Sequence, residues 1–340
     1  MTGSNGSASP DPAPDHGGVV LVSPSWIGDA ILSLPALQAF HARNPTRPIH
    51  VLAKPRVASL WAMSPAVSGT ILLKEGAVGV RAAAAELRAG GFSTAWILPN
   101  SWRSALVPWL GRVPERIGFS GHHRGWLLTR VVKDPVPGER RHQSVEMAEL
   151  LSPADANSLP PPALVISSGT LDRLRDSLED CPSPRVVLIP GAARGPSKRW
   201  PPERFAEAGR ILARERGGSV LVCGAPGERE LCAEVARQAG GQSWAGRTTL
   251  EEWAALLRLS DLVLCNDSGG MHLAAAVGAA GVAIFGVTDP EVTGPLGRKM
   301  RILQADGAGP VSRSVGRDSA PARKALDSIP IERVLEVARD

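Results

Sequence analysis

The 340-residue sequence contains no tyrosine, only four cysteines and no long uninterrupted apolar run. A membrane-spanning helix needs about 20 consecutive apolar residues, so the sequence predicts no such helix. No two cysteines have the C-x-x-C spacing that is typical of zinc sites, and we expect no metal site. We interpret the four as reduced thiols in the core of a cytosolic protein. The absence of tyrosine excludes no function that we can name.

Two common nucleotide-binding motifs are also missing. The chain has no G-x-x-x-x-G-K-[ST] string, which excludes a Walker A loop. It has no G-x-G-x-x-G after a predicted strand, which argues against an NAD-dependent dehydrogenase. Residues 1–18 are rich in Gly, Ser, Pro and Ala without an aliphatic run, so we predict a disordered tail rather than a signal peptide.

The balance of charge is basic, with a net charge of +5 and an isoelectric point near 9.4. An excess of Lys and Arg favours an anionic partner, which could be nucleic acid, an anionic membrane or a phosphorylated ligand. Charge alone does not choose among these three.

Short apolar runs alternate with helical patterns along most of the chain. Strands are predicted at 19–23, 49–53, 94–99, 185–190, 219–224, 261–266 and 281–286, with a further short element at 113–119. Helices are predicted at 30–42, 170–179, 202–216, 227–239 and 270–277. Apolar strands that alternate with helices indicate parallel sheets covered on both faces, which is an α/β fold.

The alternation occurs twice, separated by a Pro/Ser-rich stretch at 152–169. We therefore predict two Rossmann-like domains that face each other across a cleft, at 19–168 and 169–326. Residues 327–340 are predicted to form a C-terminal amphipathic helix that packs on one of the two domains. Ligands bind beyond the carboxyl ends of the strands in such sheets, so the loops after strands are the candidate sites.

Asp29 follows the first strand, where the next helix begins. Its carboxylate could remove a proton from an attacking hydroxyl, which makes it a candidate general base. The competing interpretation is a helix N-cap, and for an isolated Asp that interpretation is favoured.

Two loops of the second domain have the character of anion sites. Lys198 lies just before a helix that begins with two prolines, and a cation there suits a phosphate, although a solvated basic loop is the alternative. Ser268, Gly269 and Gly270 open a helix after another strand, so their backbone N–H groups can hold a phosphate. His272 lies one turn into that helix, where a locally bonded histidine is the alternative.

Other candidates are weaker on the sequence alone. Glu228 follows a strand and a glycine-rich turn, where α/β folds place an acid on a ribose hydroxyl, or where it simply caps a helix. Arg103, Arg116 and Arg124 are interleaved with tryptophans in the first domain. Such residues bind phosphates, sugars or single-stranded nucleic acid, or form a basic surface over core tryptophans.

Five strings taken together resemble one family, the ADP-heptose:lipopolysaccharide heptosyltransferases of glycosyltransferase family 9. They are SPSWIGDAILSLPAL, LPNSWRSALVPW, PERIGF, PGAARGPSKRWPPERFAE and NDSGGMHLAAA, in this order. The likeness is nearest to the heptosyltransferase II type and runs from about Val19 to Leu303. The segments around 76–90 and 133–165, on which acceptor choice depends, look divergent.

The resemblance implies a GT-B fold and roles for particular residues. It implies that Asp29 is the base. It implies that Lys198 binds the donor pyrophosphate and also takes part in catalysis. It implies that the donor phosphates are held by Asp267, Ser268, Gly269 and His272. It also implies a ribose contact at Glu228, an adenine contact near Thr248 and, more loosely, acceptor contacts at Arg103, Arg116 and Arg124.

The function that the resemblance implies is inverting, metal-independent transfer of heptose from ADP-heptose to the inner core of lipopolysaccharide. The expected partners are the nucleotide-sugar donor and a lipid A-linked core oligosaccharide, with no separate cofactor and no nucleic acid. The expected location is the cytoplasm, with peripheral contact at the inner face of the cytoplasmic membrane. The alternatives are a GT-B transferase with another donor or acceptor, and a non-catalytic binder of anions or nucleic acid.

Overall fold

The computed structural model describes residues 17–121, 123–133, 140–307 and 315–340. It contains two six-stranded sheets in which all strand pairs are parallel. The predicted α/β class and the two-sheet architecture are confirmed. Most of the predicted tail lies outside the described residues.

The first sheet has the order β3-β2-β1-β4-β5-β6. Its strands are β1 (Val19–Val22), β2 (Ile49–Ala53), β3 (Gly69–Leu72), β4 (Thr94–Ile97), β5 (Glu115–Phe119) and β6 (Arg130–Val132). Its helices are α1 (Ile27–Arg43), α2 (Pro55–Ala62), α3 (Gly76–Ala89), α4 (Trp102–Leu110) and α5 (Gln143–Leu151). Every residue of β1 and β4 is buried, as expected for central strands with helices on both faces.

The second sheet repeats the same topology, with the order β12-β11-β10-β7-β8-β9. Its strands are β7 (Arg185–Ile189), β8 (Ser219–Val222), β9 (Gln242–Ser243), β10 (Leu262–Asn266), β11 (Gly281–Phe285) and β12 (Met300–Gln304). Its helices are α6 (Ser168–Ser177), α7 (Pro202–Arg214), α8 (Arg229–Ala239), α9 (Leu250–Arg258), α10 (Gly269–Ala276), α11 (Pro290–Thr293), α12 (Ala320–Asp327) and α13 (Ile331–Arg339).

The amphipathic helix predicted near the C-terminus is α13, and it packs on the second lobe. Val334 and Leu335 are buried in the apolar cluster that also contains the β7 and β10 side chains Leu188 and Leu264. The two lobes themselves meet through α1 and α10 and through α2 and α9. A single apolar cluster therefore continues from the first sheet into the second.

Candidate active site

Each sheet has one topological switch point, where chain order reverses between neighbouring strands. In the first sheet it lies between β1 and β4, and in the second between β7 and β10. Ligands of open α/β sheets bind at such points, beyond the carboxyl ends of the strands. The loops after β1, β7 and β10 carry Asp29, Lys198 and Asp267, so the topology places all three at switch points.

Asp29 is the third residue of α1 and not its cap. The N-cap position is occupied by Trp26, and no side chain caps the helix there. The capping interpretation of Asp29 is therefore wrong. A carboxylate in the first turn is still favoured by the helix dipole. Oδ1 of Asp29 accepts a hydrogen bond of 3.2 Å from Nε2 of Gln143, the first residue of α5.

The starts of α1 and α10, one from each lobe, lie directly against each other. A Cβ atom added to Gly28 would lie 2.9 Å from Cδ2 of His272. One added to Gly269 would lie 3.4 Å from Cβ of Ile27. Only small residues allow two helix starts to approach this closely. The turn that carries Asp29 therefore faces the predicted anion-binding turn of the other lobe.

Lys198 and Asp267 form an ion pair in which both side chains are largely buried. The Lys198 ammonium donates to Oδ2 of Asp267, and Oγ1 of Thr288 donates to the same oxygen at 2.7 Å. A carboxylate repels a phosphate, whereas an ammonium attracts one. This geometry supports a role for Asp267 in positioning Lys198, and a direct contact of Asp267 with phosphate stays a prediction.

Asn266, the last residue of β10, fixes the loop that carries Lys198. Its Oδ1 accepts a hydrogen bond of 2.9 Å from the backbone N–H of Trp200, and its Nδ2 donates to the carbonyl of Pro190 at 2.8 Å. The buried amide thus joins the loop after β7 to the strand beside it. Asn266 could not be selected from sequence alone, because its partners lie 66 and 76 residues away.

The turn that opens α10 presents two buried polar atoms, Oγ of Ser268 and Nδ1 of His272. Neither has a hydrogen-bond partner within the described part of the chain. Buried polar atoms in native proteins are almost always paired, so atoms like these indicate a place where a ligand or water completes the site. Burial lowers the pKa of His272 to about 4, with Lys198 and His142 also lowering it against the opposing effect of Asp267. Its ring is therefore neutral at pH 7.

Glu228 is half-buried and occupies the N-cap position of α8, so the capping alternative is confirmed in position. It sits beyond β7 and β8, where a Cβ atom on Gly191 would lie 2.2 Å from its Oε1. Its Oε2 accepts a hydrogen bond of 3.0 Å from the backbone N–H of Ala225, and Arg199 lies 3.6 Å from Oε1. Its position fits the predicted ribose contact, which stays a prediction.

Thr248 is half-buried and directly precedes the N-cap of α9, Thr249. Its loop is tied to the start of α8, because Arg229 donates to the carbonyl of Gly246 at 2.8 Å. Thr248 and Glu228 thus lie on two connected loops of the second lobe. The adenine contact near Thr248 stays a prediction.

The three predicted acceptor arginines have very different surroundings. Arg103 is exposed, and its guanidinium lies 5.7 Å from the ring centre of Trp102. Arg116 is near the amino end of β5, at the opposite end of the sheet from the candidate site, and donates to the carbonyls of Leu127 and Val113. Its position does not support an acceptor contact.

Arg124 is fully buried, and its guanidinium donates to the carbonyls of Phe119 and Pro99. These bonds hold the loop after β5 to the end of β4. The structure therefore gives Arg124 a structural role in place of the exposed ligand contact that we predicted. The alternative of core tryptophans is also wrong here, since Trp102, Trp109 and Trp126 are exposed.

The segment from Arg140 to Gln143, which was not predicted as part of the site, contacts both lobes. Arg140 donates to Oδ2 of Asp289 at 2.9 Å and lies 2.9 Å from Glu291. Nε2 of His142 lies 3.1 Å from the carbonyl of Gly294. One signal was available: Asp289 and Pro290 form a helix start after β11, which is another post-strand loop.

A model of the family described as "Glycosyltransferase family 9 (heptosyltransferase)" matches residues 80–316. The chain belongs to glycosyltransferase family 9. Lipopolysaccharide heptosyltransferase 2 of Salmonella typhimurium is 33% identical over 306 residues, which cover 84% of this chain and 87% of the relative. The Escherichia coli K12 protein of the same name is 32% identical over 84% of this chain and 87% of its own length.

The fold agrees with solved structures of the same family. The structure of E. coli ADP-heptose lps heptosyltransferase II superposes with a TM-score of 0.80, at 28% identity, over 94% of this chain and 96% of that chain. The predicted GT-B fold and glycosyltransferase class are thereby confirmed. Within the described residues no helix is long and apolar enough to cross a membrane. The same residues contain no cluster of three or more His, Cys, Asp or Glu side chains that could hold a metal ion.

Proposed function

We propose that this chain transfers a heptose from ADP-heptose to the inner-core oligosaccharide of lipopolysaccharide, as a heptosyltransferase of type II. Two observations support the proposal. The relatives named lipopolysaccharide heptosyltransferase 2 match most of the chain. The loop at the switch point of the first lobe also carries the carboxylate of Asp29. The loops at the switch point of the second lobe carry the cation Lys198 and the start of α10.

The proposed reaction is a single displacement with inversion at the sugar. An acceptor hydroxyl oxygen attacks the anomeric carbon of the donor, and Asp29 takes the hydroxyl proton. The bond between the anomeric carbon and the β-phosphate oxygen breaks, and ADP leaves with its electron pair. One carboxylate suffices for this step, because no covalent sugar–enzyme intermediate forms.

The second lobe supplies the positive potential that the departing ADP requires. Lys198 and the backbone N–H groups at the start of α10 would face the pyrophosphate as its charge grows. Ser268 and neutral His272 add two hydrogen-bonding groups that lack partners in the described chain. We propose that these groups act without a metal ion. Turnover that is unchanged by EDTA would support this, and restoration by added Mg²⁺ after EDTA would contradict it.

The close approach of Gly28 to His272 is the structural observation that most directly supports the proposal. It brings the first turn of α1, with Asp29, against the first turn of α10, with the anion-binding groups. A base and a leaving-group site on opposite sides of one cleft are what a direct displacement needs. We further propose that Glu228 contacts the ribose and that Thr248 lies near the adenine.

The decisive experiment is product analysis by mass spectrometry. The purified chain is incubated with ADP-heptose and a series of truncated core acceptors, and the expected product is one acceptor enlarged by a single heptose. Parallel incubations with UDP- and GDP-sugars test the donor. Transfer from one of those sugars, and none from ADP-heptose, would replace the proposed donor while leaving the displacement mechanism in place.

The acceptor is proposed to be the core oligosaccharide still attached to lipid A. The chain would then work in the cytoplasm, in peripheral contact with the inner face of the cytoplasmic membrane. A net charge of +5 suits an anionic membrane surface and a phosphorylated acceptor.

A further inference from the structure

The first lobe carries an exposed cluster of tryptophans on the helix that follows β4. Trp102 and Trp109 are 46% and 42% exposed and lie seven residues apart, so they project from the same side of α4. Trp126 is 68% exposed and packs edge-on against Trp109, with ring centres 6.0 Å apart. Two exposed rings in contact, with a third on the same side of the helix, form an apolar patch of the kind that marks an interaction surface.

The charge around these rings is strongly one-sided. Between residues 102 and 133 the sequence has six Arg or Lys residues and a single acid, Glu115. Arg116 and Arg124 are engaged with backbone carbonyls. The other four basic side chains are exposed: Arg103, Arg112, Arg130 and Lys133. Of these, Arg130 lies 3.8 Å from Oε1 of Glu115. We call the three tryptophans and these four basic residues the α4 surface.

The position of the α4 surface links it to the candidate active site. α4 begins just after the carboxyl end of β4, at the same end of the sheet as Asp29. Trp109 lies about 10 Å farther along the helix axis than Trp102. The surface therefore runs outward from the cleft of the lobe that is proposed to bind the acceptor.

We propose that the α4 surface docks the protein on an anionic lipid bilayer. Tryptophan is the side chain that prefers the bilayer interface, because its ring is apolar and its N–H remains hydrated. Exposed Arg and Lys residues beside it attract anionic headgroups. This inference rests on the proposed function in one respect, namely that the acceptor is held in a membrane.

Single-stranded nucleic acid is less suited to the same surface. Nucleic acid without its complement binds in grooves, where successive bases stack on rings and the backbone follows a basic channel. Here Trp102 and Trp109 stand on the outer face of a helix, with half-buried Leu106 between them. Such an outward apolar line fits a flat interface better than a groove.

Vesicle flotation tests the docking without donor or acceptor. The full chain is mixed with vesicles of phosphatidylcholine alone, or of phosphatidylcholine with phosphatidylglycerol, over a range of NaCl concentrations. We expect binding to the anionic vesicles that weakens as salt rises. The double variant Trp109→Ser/Trp126→Ser should lower the partition coefficient by at least about tenfold. The matched control Val165→Ser/Ile302→Ser removes two exposed apolar side chains elsewhere and should bind like the wild type.

The charge contribution is measured separately. Arg112→Gln/Lys133→Gln should weaken binding to anionic vesicles by about fivefold for each cation removed. Arg216→Gln/Lys324→Gln removes two exposed cations of the second lobe and should have little effect. Equal losses in the two pairs would show that net charge alone drives binding, and this would overturn the proposal.

Three other outcomes would also overturn it. Unchanged vesicle binding by Trp109→Ser/Trp126→Ser would remove the tryptophans from any membrane contact. Lower turnover of that variant with a lipid-free core oligosaccharide would assign the surface to the sugar instead. Loss of binding to a single-stranded oligonucleotide, with vesicle binding retained, would assign it to nucleic acid. Since flotation requires no catalysis, its result is independent of whether heptose transfer is observed.

Discussion

Gln143 donates a hydrogen bond of 3.2 Å from its Nε2 to Oδ1 of Asp29, joining the first turns of α5 and α1. The two residues are 114 positions apart in sequence. The bond restricts rotation of the Asp29 carboxylate and directs its oxygens. If Asp29 is the base, Gln143 is a positioning residue that acts through it.

Removing the Gln143 amide should therefore affect kcat more than KM. A hydrogen bond to a charged group contributes about 1.5–3 kcal/mol, so we expect Gln143→Leu to lower kcat by roughly 10- to 100-fold with little change in KM. Steady-state kinetics with ADP-heptose measures both constants. The matched control is Gln38→Leu on α1, the helix that carries Asp29, which removes a 2.9 Å bond to the carbonyl of Ala163. Equal effects of the two variants would mean that Gln143 only stabilises the fold.

Replacing Asp29 tests the base directly. Asp29→Asn keeps the size of the side chain and an oxygen that can accept from Gln143, but it cannot take a proton. General-base catalysis contributes about 10²- to 10⁴-fold, so kcat should fall by roughly that factor while the Tm and the Kd for ADP change little. Thermal unfolding measures the Tm, and calorimetric titration measures the Kd for ADP. Near-normal turnover in Asp29→Asn, with Asp29→Ala merely less stable, would show that Asp29 has a structural role.

The centre of each sheet could be predicted from sequence, whereas its edges could not. The runs 19–23, 94–99, 185–190 and 261–266 are predominantly apolar because β1, β4, β7 and β10 are covered by helices on both faces. β3, β6, β9 and β12 were not predicted, and all four lie at sheet edges. All four strands are partly exposed, so their apolar signal is weak.

Some residues of the candidate site could likewise be predicted from sequence, whereas others could not. Loops after central strands are recognisable because each follows an apolar run, and Asp29, Lys198 and Ser268 were found for that reason. The bridge from Arg140 to Asp289 spans 149 residues and could not be inferred from either segment alone. The burial of Arg124 was equally hidden, because composition does not show which loop arginine folds back onto backbone carbonyls.

His272 should make the free energy of unfolding depend on pH below neutrality. Its pKa is lowered from 6.5 to about 4 in the folded chain, chiefly by burial. Between these values the unfolded chain binds a proton that the folded chain does not, so stability is lost as pH falls through this range. From pH 7 to pH 5 the loss attributable to His272 is at most about 2 kcal/mol.

Urea unfolding at pH 7 and pH 5 measures this contribution by difference. His272→Gln should lose less stability between the two pH values than the wild type. His123→Gln, at an exposed position, should lose as much as the wild type. An equal pH dependence in all three proteins would contradict the assignment to His272.

The pair of Lys198 and Asp267 makes separate predictions for stability and for ligand binding. Lys198→Met leaves the buried Asp267 carboxylate without its cation, and breaking such a pair costs about 3–5 kcal/mol. The double variant Lys198→Met/Asp267→Asn removes both charges and should recover most of that loss in Tm. ADP binding should stay weakened in both variants, by roughly 10- to 100-fold, because the phosphate has lost its cation. Recovery of ADP affinity in the double variant would show that Lys198 does not contact the donor.

The close approach of Gly28 to His272 makes the last prediction. In Gly28→Ala the new Cβ would lie 2.9 Å from Cδ2 of His272, so the starts of α1 and α10 must move apart. Displacement of catalytic groups by about 1 Å can lower a rate by 10²-fold, and we expect a fall in kcat that approaches this size. Gly316→Ala is the control, since a Cβ there meets nothing within 4 Å. Steady-state kinetics compares the two variants, and calorimetric titration reports whether ADP still binds. Full activity in Gly28→Ala would mean that the reacting geometry forms with the two lobes farther apart than they are in this structure.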